Sequence, residues 1–182
     1  MKQDYIYCIY CDTMKTDTIA RLIEEVLQVR CISPKIVQRY WKKGECTHRV
    51  HDYLPGYLFM YAEEPVPSVR DVLRFPGVHR VLGEQEDGHV LSGADLAFAQ
   101  MLSDMDGTLG IMKALQEGDK VHLADGLYHG FSGEILKLDR RKGRAQIRFT
   151  FDGSIQNVWV GYDLIKPDEA QPEKAQEEAK EA

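Results

Sequence analysis

Leu54-Pro55-Gly56-Tyr57-Leu58-Phe59-Met60-Tyr61 is the stretch whose reading decides this chain. Pro55-Gly56 signals a turn, and the apolar and aromatic run after it predicts a central β-strand. Upstream, residues 5–11 (Tyr-Ile-Tyr-Cys-Ile-Tyr-Cys) read as a second buried strand, rich in aromatic and β-branched side chains. Between the two, Ile19, Leu22, Ile23, Val26 and Leu27 recur at helical spacing and form one apolar face. Thr16 or Asp17 is expected to accept from the first free amides of that helix, and Ser33-Pro34 stops the segment. Residues 35–41 and 47–51 read as extended, joined by a Lys42-Lys43-Gly44-Glu45 turn. Downstream, Pro67 suits the first turn of a helix through Phe75. Pro76-Gly77 ends that helix, and Val78 to Leu82 is a short strand. Ser92 with Asp95 resembles a capping box opening a helix to about Ser103. The order β-α-β-β-β-α-β-α predicts an α+β domain, an antiparallel sheet with helices on its faces.

The periodicity changes after Asp106-Gly107. From Gly118 to Lys166 short alternating strands are separated by Asp125-Gly126, Gly130, Arg141-Lys142-Gly143 and Asp152-Gly153, a pattern that predicts a small β-barrel. In 144–151, Ala145, Ile147, Phe149 and Phe151 share one face, and Arg144, Gln146, Arg148 and Thr150 the other. The expected organisation is a domain over 1–105, a linker over 106–116, a barrel over 117–167 and a disordered acidic tail over 168–182.

The chain has 182 residues, 43% hydrophobic and 29% charged, an ordinary globular balance. Its net charge of −6 argues against a wholly basic nucleic-acid binder but hides local contrast. Residues 167–182 carry six acids and two lysines; residues 137–148 carry six basic side chains against Asp139 alone. No stretch approaches the ~18–20 apolar residues that span a bilayer, so no membrane partner is expected. Met1-Lys2-Gln3-Asp4 does not read as a signal peptide. With four cysteines and no export signal, reduced thiols in the cytoplasm are expected.

Four constellations carry chemistry. Cys8-x-x-Cys11 has zinc-knuckle spacing, and Cys46, His48 and His51 could add ligands. However, Ile9-Tyr10 supplies no turn, and i, i+3 positions on a straight strand face opposite ways. Neither a metal nor another cofactor is expected. The six histidines (His48, His51, His79, His89, His122, His129) lack a nucleophile elbow, a phosphate loop or paired carboxylates, although Cys31 or Cys46 could pair with one. The chain does not read as an enzyme. Arg140-Arg141-Lys142-Gly143-Arg144 concentrates four cations in a turn, with Lys137 and Arg148 near the same edge. Such a turn is either a solvated loop or a phosphate contact rewarded by counterion release. Finally, Tyr53 to Tyr57 with Tyr5, Tyr7 and Tyr10 are either core residues or interface anchors. Tyr5 and Tyr7 face opposite to Tyr10, so the three cannot share one core.

Residues 118–139 resemble a KOW motif through Val121, Asp125-Gly126, Phe131, Gly133 and the apolar pattern after it. Leu54-Pro55-Gly56-Tyr57-Leu58-Phe59, followed by Gly77-Val78 and Val81-Leu82-Gly83, resembles the amino-terminal (NGN) domain of the NusG family. The resemblance spans roughly residues 5–166 in the family's own order. It implies a transcription elongation or antitermination factor, an NGN domain followed by a small SH3-like KOW barrel, that acts as a monomer and suppresses pausing and termination. The RNA polymerase clamp helices are the implied partner, gripped through Tyr7, Tyr10, Leu54, Pro55 and Tyr57. Ile6-Tyr7 where the family commonly has Trp-Tyr, Met14-Lys15-Thr16 where Gly-x-Glu is common, and the basic 140–144 turn make the chain resemble a specialised paralogue of the LoaP type. Expected nucleic-acid contacts are Lys42, Lys43 and Arg49 on non-template DNA or upstream duplex. Lys137, Arg140, Arg141, Lys142, Arg144 and Arg148 are expected on a nascent RNA hairpin. A ribosome-associated KOW protein binding ribosomal RNA is the alternative.

Overall fold

The structure is a computed structural model that describes residues 5–65, 68–83, 88–117, 120–123, 134–151 and 153–165. In chain order the first part runs β1 (Tyr5–Cys11), α1 (Thr16–Leu27), β2 (Arg30–Ile32), β3 (Lys35–Lys42), β4 (Glu45–Asp52), β5 (Tyr57–Ala62), α2 (Val69–Val72), β6 (Val78–Val81) and α3 (Gly93–Asp104). The second part runs β7 (Thr108–Leu109), β8 (Met112–Glu117), β9 (Lys120–Leu123), β10 (Glu134–Asp139), β11 (Arg144–Phe151) and β12 (Ser154–Ile165).

The two strands singled out in the sequence form the centre of the first sheet, ordered β2-β5-β1-β6 with every pairing antiparallel. Their pleat sorts side chains into two cores. Tyr7, Ile9 and Cys11 join Leu58, Met60 and Ala62 against Ile19, Ala20 and Ile23 of α1. Ile6, Cys8, Phe59 and Tyr61 point the other way, where Phe98, Ala99 and Leu102 of α3 cover them. Full burial of each large apolar side chain stabilises the fold by ~1.5–3 kcal/mol.

The buried stripe of α1 is rotated from the expected one. Thr16, Ile19, Ala20 and Ile23 face the sheet, while Leu22 and Val26 are 37% and 60% exposed. The apolar arc is wider than the strip the two central strands can cover. The expected cap also differs: the Thr16 hydroxyl donates to the carbonyls of Asp12 and Thr13, and no side chain caps the helix. Ser92 stands at the N-cap of α3 without a capping side-chain bond. The helix expected from Pro67 to Phe75 is a single turn, α2, with Ser68 Oγ accepting from the Arg70 amide; Pro67 lies outside the described residues.

Strands β3 and β4 make a long hairpin whose two-residue loop, Lys43-Gly44, has φ of 52° and 85°. Two positive φ values match the right-handed twist of the flanking strands. Its base is tied to α1 through Lys35 Nζ, which donates to Asp17 (2.8 Å) and Asp52 (2.6 Å). Burial alone would lower the Lys35 pKa, but the two carboxylates raise it overall. Asp17 is held below the usual carboxylate range, chiefly by its bond from Lys35. A depressed folded pKa contributes stability above the unfolded value of ~3.9 that is lost as pH falls through the folded value. Urea unfolding should therefore show stability declining on acidification through this window, and Asp17→Asn should flatten that part of the profile. The effect is expected to be small, because Asp17 is half exposed.

The segment expected as a linker is ordered into two strands. β7 pairs parallel with β3, and β8 pairs parallel with β12. Leu109, Met112 and Ala114 are fully buried, so this segment is part of the core. The second part forms a five-stranded sheet, β10-β11-β12-β8-β9. Among the described residues β9 and β10 are its edges. The segment 124–133 that joins them, with Asp125-Gly126, His129, Phe131 and Gly133, lies outside the described residues, as do Gly118 and the acidic tail. The expected alternation on β11 is present: Ala145, Ile147, Phe149 and Phe151 are buried, and Arg148 and Thr150 are exposed. These apolar side chains belong to the same continuous cluster as Phe59 and Phe98, so the two sheets share one core.

Candidate functional site

The turn before β5 decides the first surface. Gly56 sits at φ +87°, packed against the Cys11 carbonyl. Its own carbonyl accepts from the Cys11 amide at 2.8 Å and from Cys11 Sγ at 3.4 Å. That turn presents Tyr53, Leu54, Pro55 and Tyr57 at the end of the sheet. Tyr10 joins them from β1, its ring centroid 5.2 Å from that of Tyr57. Tyr7 does not. It is 2% exposed on the α1 face, because the pleat turns odd positions of β1 away from Tyr10. The five side chains expected in one surface are thus divided: Tyr10, Leu54, Pro55 and Tyr57 cluster, and Tyr7 is core.

This cluster is covered. Phe149 stacks on Tyr53 with centroids 5.9 Å apart and planes 3° off parallel. Phe151 meets Tyr57 edge-on at 5.6 Å and Phe59 at 5.5 Å. Phe98 from α3 closes the set against both phenylalanines. Leu54 is 3% exposed, Tyr57 is half-buried and Pro55 remains exposed. Sequence reasoning put Phe149 and Phe151 inside a separate barrel, left Tyr53 open between core and interface, and missed Phe98 and the way these rings join the two sheets. The strand alternation signals that the phenylalanines are buried, but not against which partner.

The basic residues fall on two turns and one strand face. Lys42 and Lys43 lie at the tip of the β3–β4 hairpin, and Arg49 stacks on Tyr40 of the same hairpin, 4.3 Å from its centroid. Arg140, Arg141 and Lys142 form the exposed β10–β11 turn. Arg144 is engaged: its Nε donates to Asp139 at 3.3 Å and its guanidinium lies 4.6 Å above Trp159. Asp139 also accepts from the Lys142 amide at 3.2 Å, which shapes the turn. Lys137 and Arg148 are exposed on the same sheet. Cross-links bring both turns to the same side. Gln38 Nε2 donates to the Trp159 carbonyl at 2.8 Å, and Arg39 pairs with Asp163 and reaches the Tyr162 carbonyl.

The sulfur and imidazole groups form no comparable arrangement. Cys8 and Cys11 lie on opposite faces of β1, in different cores, while Cys46, His48 and His51 are exposed on β4. Among the described residues no three His, Cys, Asp or Glu side chains are grouped to hold a metal. Burial and the nearby Glu24 push the Cys31 thiol up to about 12, and burial also raises Cys11. Neither supplies the thiolate that nucleophilic chemistry requires. No described helix is long and apolar enough to cross a membrane.

No curated protein matches the chain at a significant level. Among solved structures, one described as "Domain interaction in Thermotoga maritima NusG" superposes with a TM-score of 0.53 at 14% identity, covering 87% of this chain and 94% of that one. That likeness concerns the fold. By sequence, residues 5–97 match the family described as transcription termination factor nusG. The match takes in just over half of the chain, including both central strands and the Pro-Gly-Tyr turn, and the chain belongs to the NusG family.

Proposed function

We propose that this chain is a transcription elongation and antitermination factor, a specialised member of its family of the LoaP type. It grips the RNA polymerase clamp through Tyr10, Leu54, Pro55 and Tyr57 and contacts nucleic acid through its basic turns. The observation that carries this reading is the aromatic end of β5, which is a docking surface by its chemistry and is filled by Phe149 and Phe151 of the same chain. Polymerase binding then competes with the carboxy-terminal sheet for one apolar face. The factor makes and breaks no bonds. It favours a closed clamp only through its differential affinity for that state. Lys42, Lys43 and Arg49 face non-template DNA or upstream duplex, and the 140–144 turn faces RNA.

The test is co-purification with the full chain as bait, scoring core polymerase subunits. Retention by the parent, or by a Phe151→Ala variant that loosens the cover, supports the reading; retention by neither overturns it. In the Phe151→Ala background, Tyr57→Ala should weaken polymerase binding by about 2 kcal/mol if Tyr57 is a hot spot. A folded double variant with undiminished affinity removes Tyr57 from the interface.

A further inference from the structure

The hairpin tip and the basic turn, far apart in sequence, line one cleft. Its walls are Trp41, Lys43 and Gly44 from the β3–β4 hairpin and Arg141 and Lys142 from the β10–β11 turn, around a volume of about 570 Å³. Trp41 is 53% exposed, an unusual position for so large an apolar side chain, and three cations line the cleft with it. Among the described residues these charges are only partly compensated. Lys142 Nζ lies 3.9 Å from Asp139, whose closer contact is with Arg144. Among the described residues Arg141 and Lys43 have no carboxylate partner. The cleft is held from beneath. Gly143, at the end of the basic turn, has no side chain over the Arg39 guanidinium, which is anchored on Asp163 and the Tyr162 carbonyl.

We infer that this composite cleft is a binding site for unpaired nucleotides of a single-stranded nucleic acid, with a base stacked on Trp41 and the flanking phosphates on Lys43, Arg141 and Lys142. An exposed aromatic face between cations is the combination single strands reward, because every base has a π-face and every linkage a phosphate. A duplex keeps its bases stacked on each other and cannot use the indole. A cleft of this size falls in the range that encloses a small ligand, ~300–1,000 Å³. The site is assembled from both parts of the chain, Trp41 and Lys43 from the β3–β4 hairpin and Arg141 and Lys142 from the β10–β11 turn. This deepens the nucleic-acid part of the proposed function, joining Lys43 and the 140–144 turn in one site for one strand in place of separate DNA and RNA faces, and does not depend on the polymerase part.

The experiment is fluorescence anisotropy of the full chain with three labelled probes of mixed sequence: a ten-nucleotide RNA, the same DNA strand and its duplex. Tighter binding of either single strand than of the duplex is expected, and the RNA and DNA arms identify the strand preferred. Trp41→Ala should weaken single-strand binding by about tenfold, and Trp41→Phe should recover much of it. Lys43→Ala and Arg141→Ala should each reduce the slope of log affinity against log salt by about 0.7. Asp163→Asn provides a test of position against charge. Removing an acid near a phosphate site would by charge alone strengthen binding, whereas losing the Arg39 anchor should weaken it several-fold. If binding depends on Arg140 and Arg141 but is indifferent to Trp41, Lys43 and Asp163, the composite cleft is wrong while nucleic-acid binding by the turn survives. If no probe binds, both are wrong, and polymerase capture stands or falls separately.

Discussion

Phe151→Ala is expected to raise the apparent affinity of the full chain for core RNA polymerase by roughly tenfold to a hundredfold while lowering its thermal stability. Phe151 is 1% exposed, and its ring contacts are with Tyr57, Phe59 and Phe98, all on the far side of the seam between the two sheets. Truncating a buried phenylalanine costs ~3–5 kcal/mol. The part of that loss felt only when the sheets are docked appears as a larger undocked fraction, at one factor of ten per ~1.4 kcal/mol. A partner that binds only the uncovered face sees its dissociation constant divided by that fraction, so affinity rises until undocking is complete and then stops. Phe151→Leu, which keeps most of the volume, should give a smaller change in the same direction and covers the case in which the alanine variant fails to fold. Titration of labelled protein with core polymerase, alongside thermal unfolding, measures both effects. A folded variant whose polymerase affinity is unchanged or reduced would show that the covered face is not the one polymerase uses.

The fold was legible where a local pattern has one physical solution. The runs 5–11 and 57–61 could only be central strands, and the Lys43-Gly44 loop could only close a hairpin. The readings that failed depend on partners distant in sequence. Residues 106–116 read as a linker because the periodicity changes after Asp106-Gly107, yet Leu109, Met112 and Ala114 are buried against strands far away in the chain. Alternation on β11 identifies a buried face but carries no information on whether Tyr53 and Tyr57 or the sheet's own residues fill the space above it. Tyr10, Leu54 and Tyr57, matched through the family resemblance, meet in one cluster, whereas Tyr7 lies on the other face of β1, as strand alternation from Tyr10 requires. Trp41 escaped notice because an aromatic within a β-strand ordinarily counts as sheet propensity. Only the position of the 140–143 turn opposite it gives the ring a neighbour of interest.

Gly56→Ala should destabilise the protein by about 3 kcal/mol or more, the sum of two separable effects. At φ +87° an L residue is strained in any surroundings, a cost of ~1–3 kcal/mol. A Cβ at this position would also lie 2.9 Å from the Cys11 carbonyl oxygen and 3.0 Å from both the Tyr10 ring and Thr13 Cγ2. The carbonyl is backbone of a central strand and cannot step aside without disturbing β1. Gly44→Ala isolates the first effect, because Gly44 has nearly the same φ, +85°, and open space where its Cβ would stand. At ~2–4 °C per kcal/mol for a chain of this length, Gly56→Ala should melt roughly 6–12 °C below the parent and clearly below Gly44→Ala. Equal losses in the two variants would mean that the turn relaxes away from Cys11 and that packing contributes nothing at Gly56. A larger loss at Gly56 has a functional corollary: the Tyr10 ring, displaced by the new methyl group, would no longer meet Tyr57. The variant should then bind polymerase less well even at temperatures where it remains folded, in the direction opposite to Phe151→Ala.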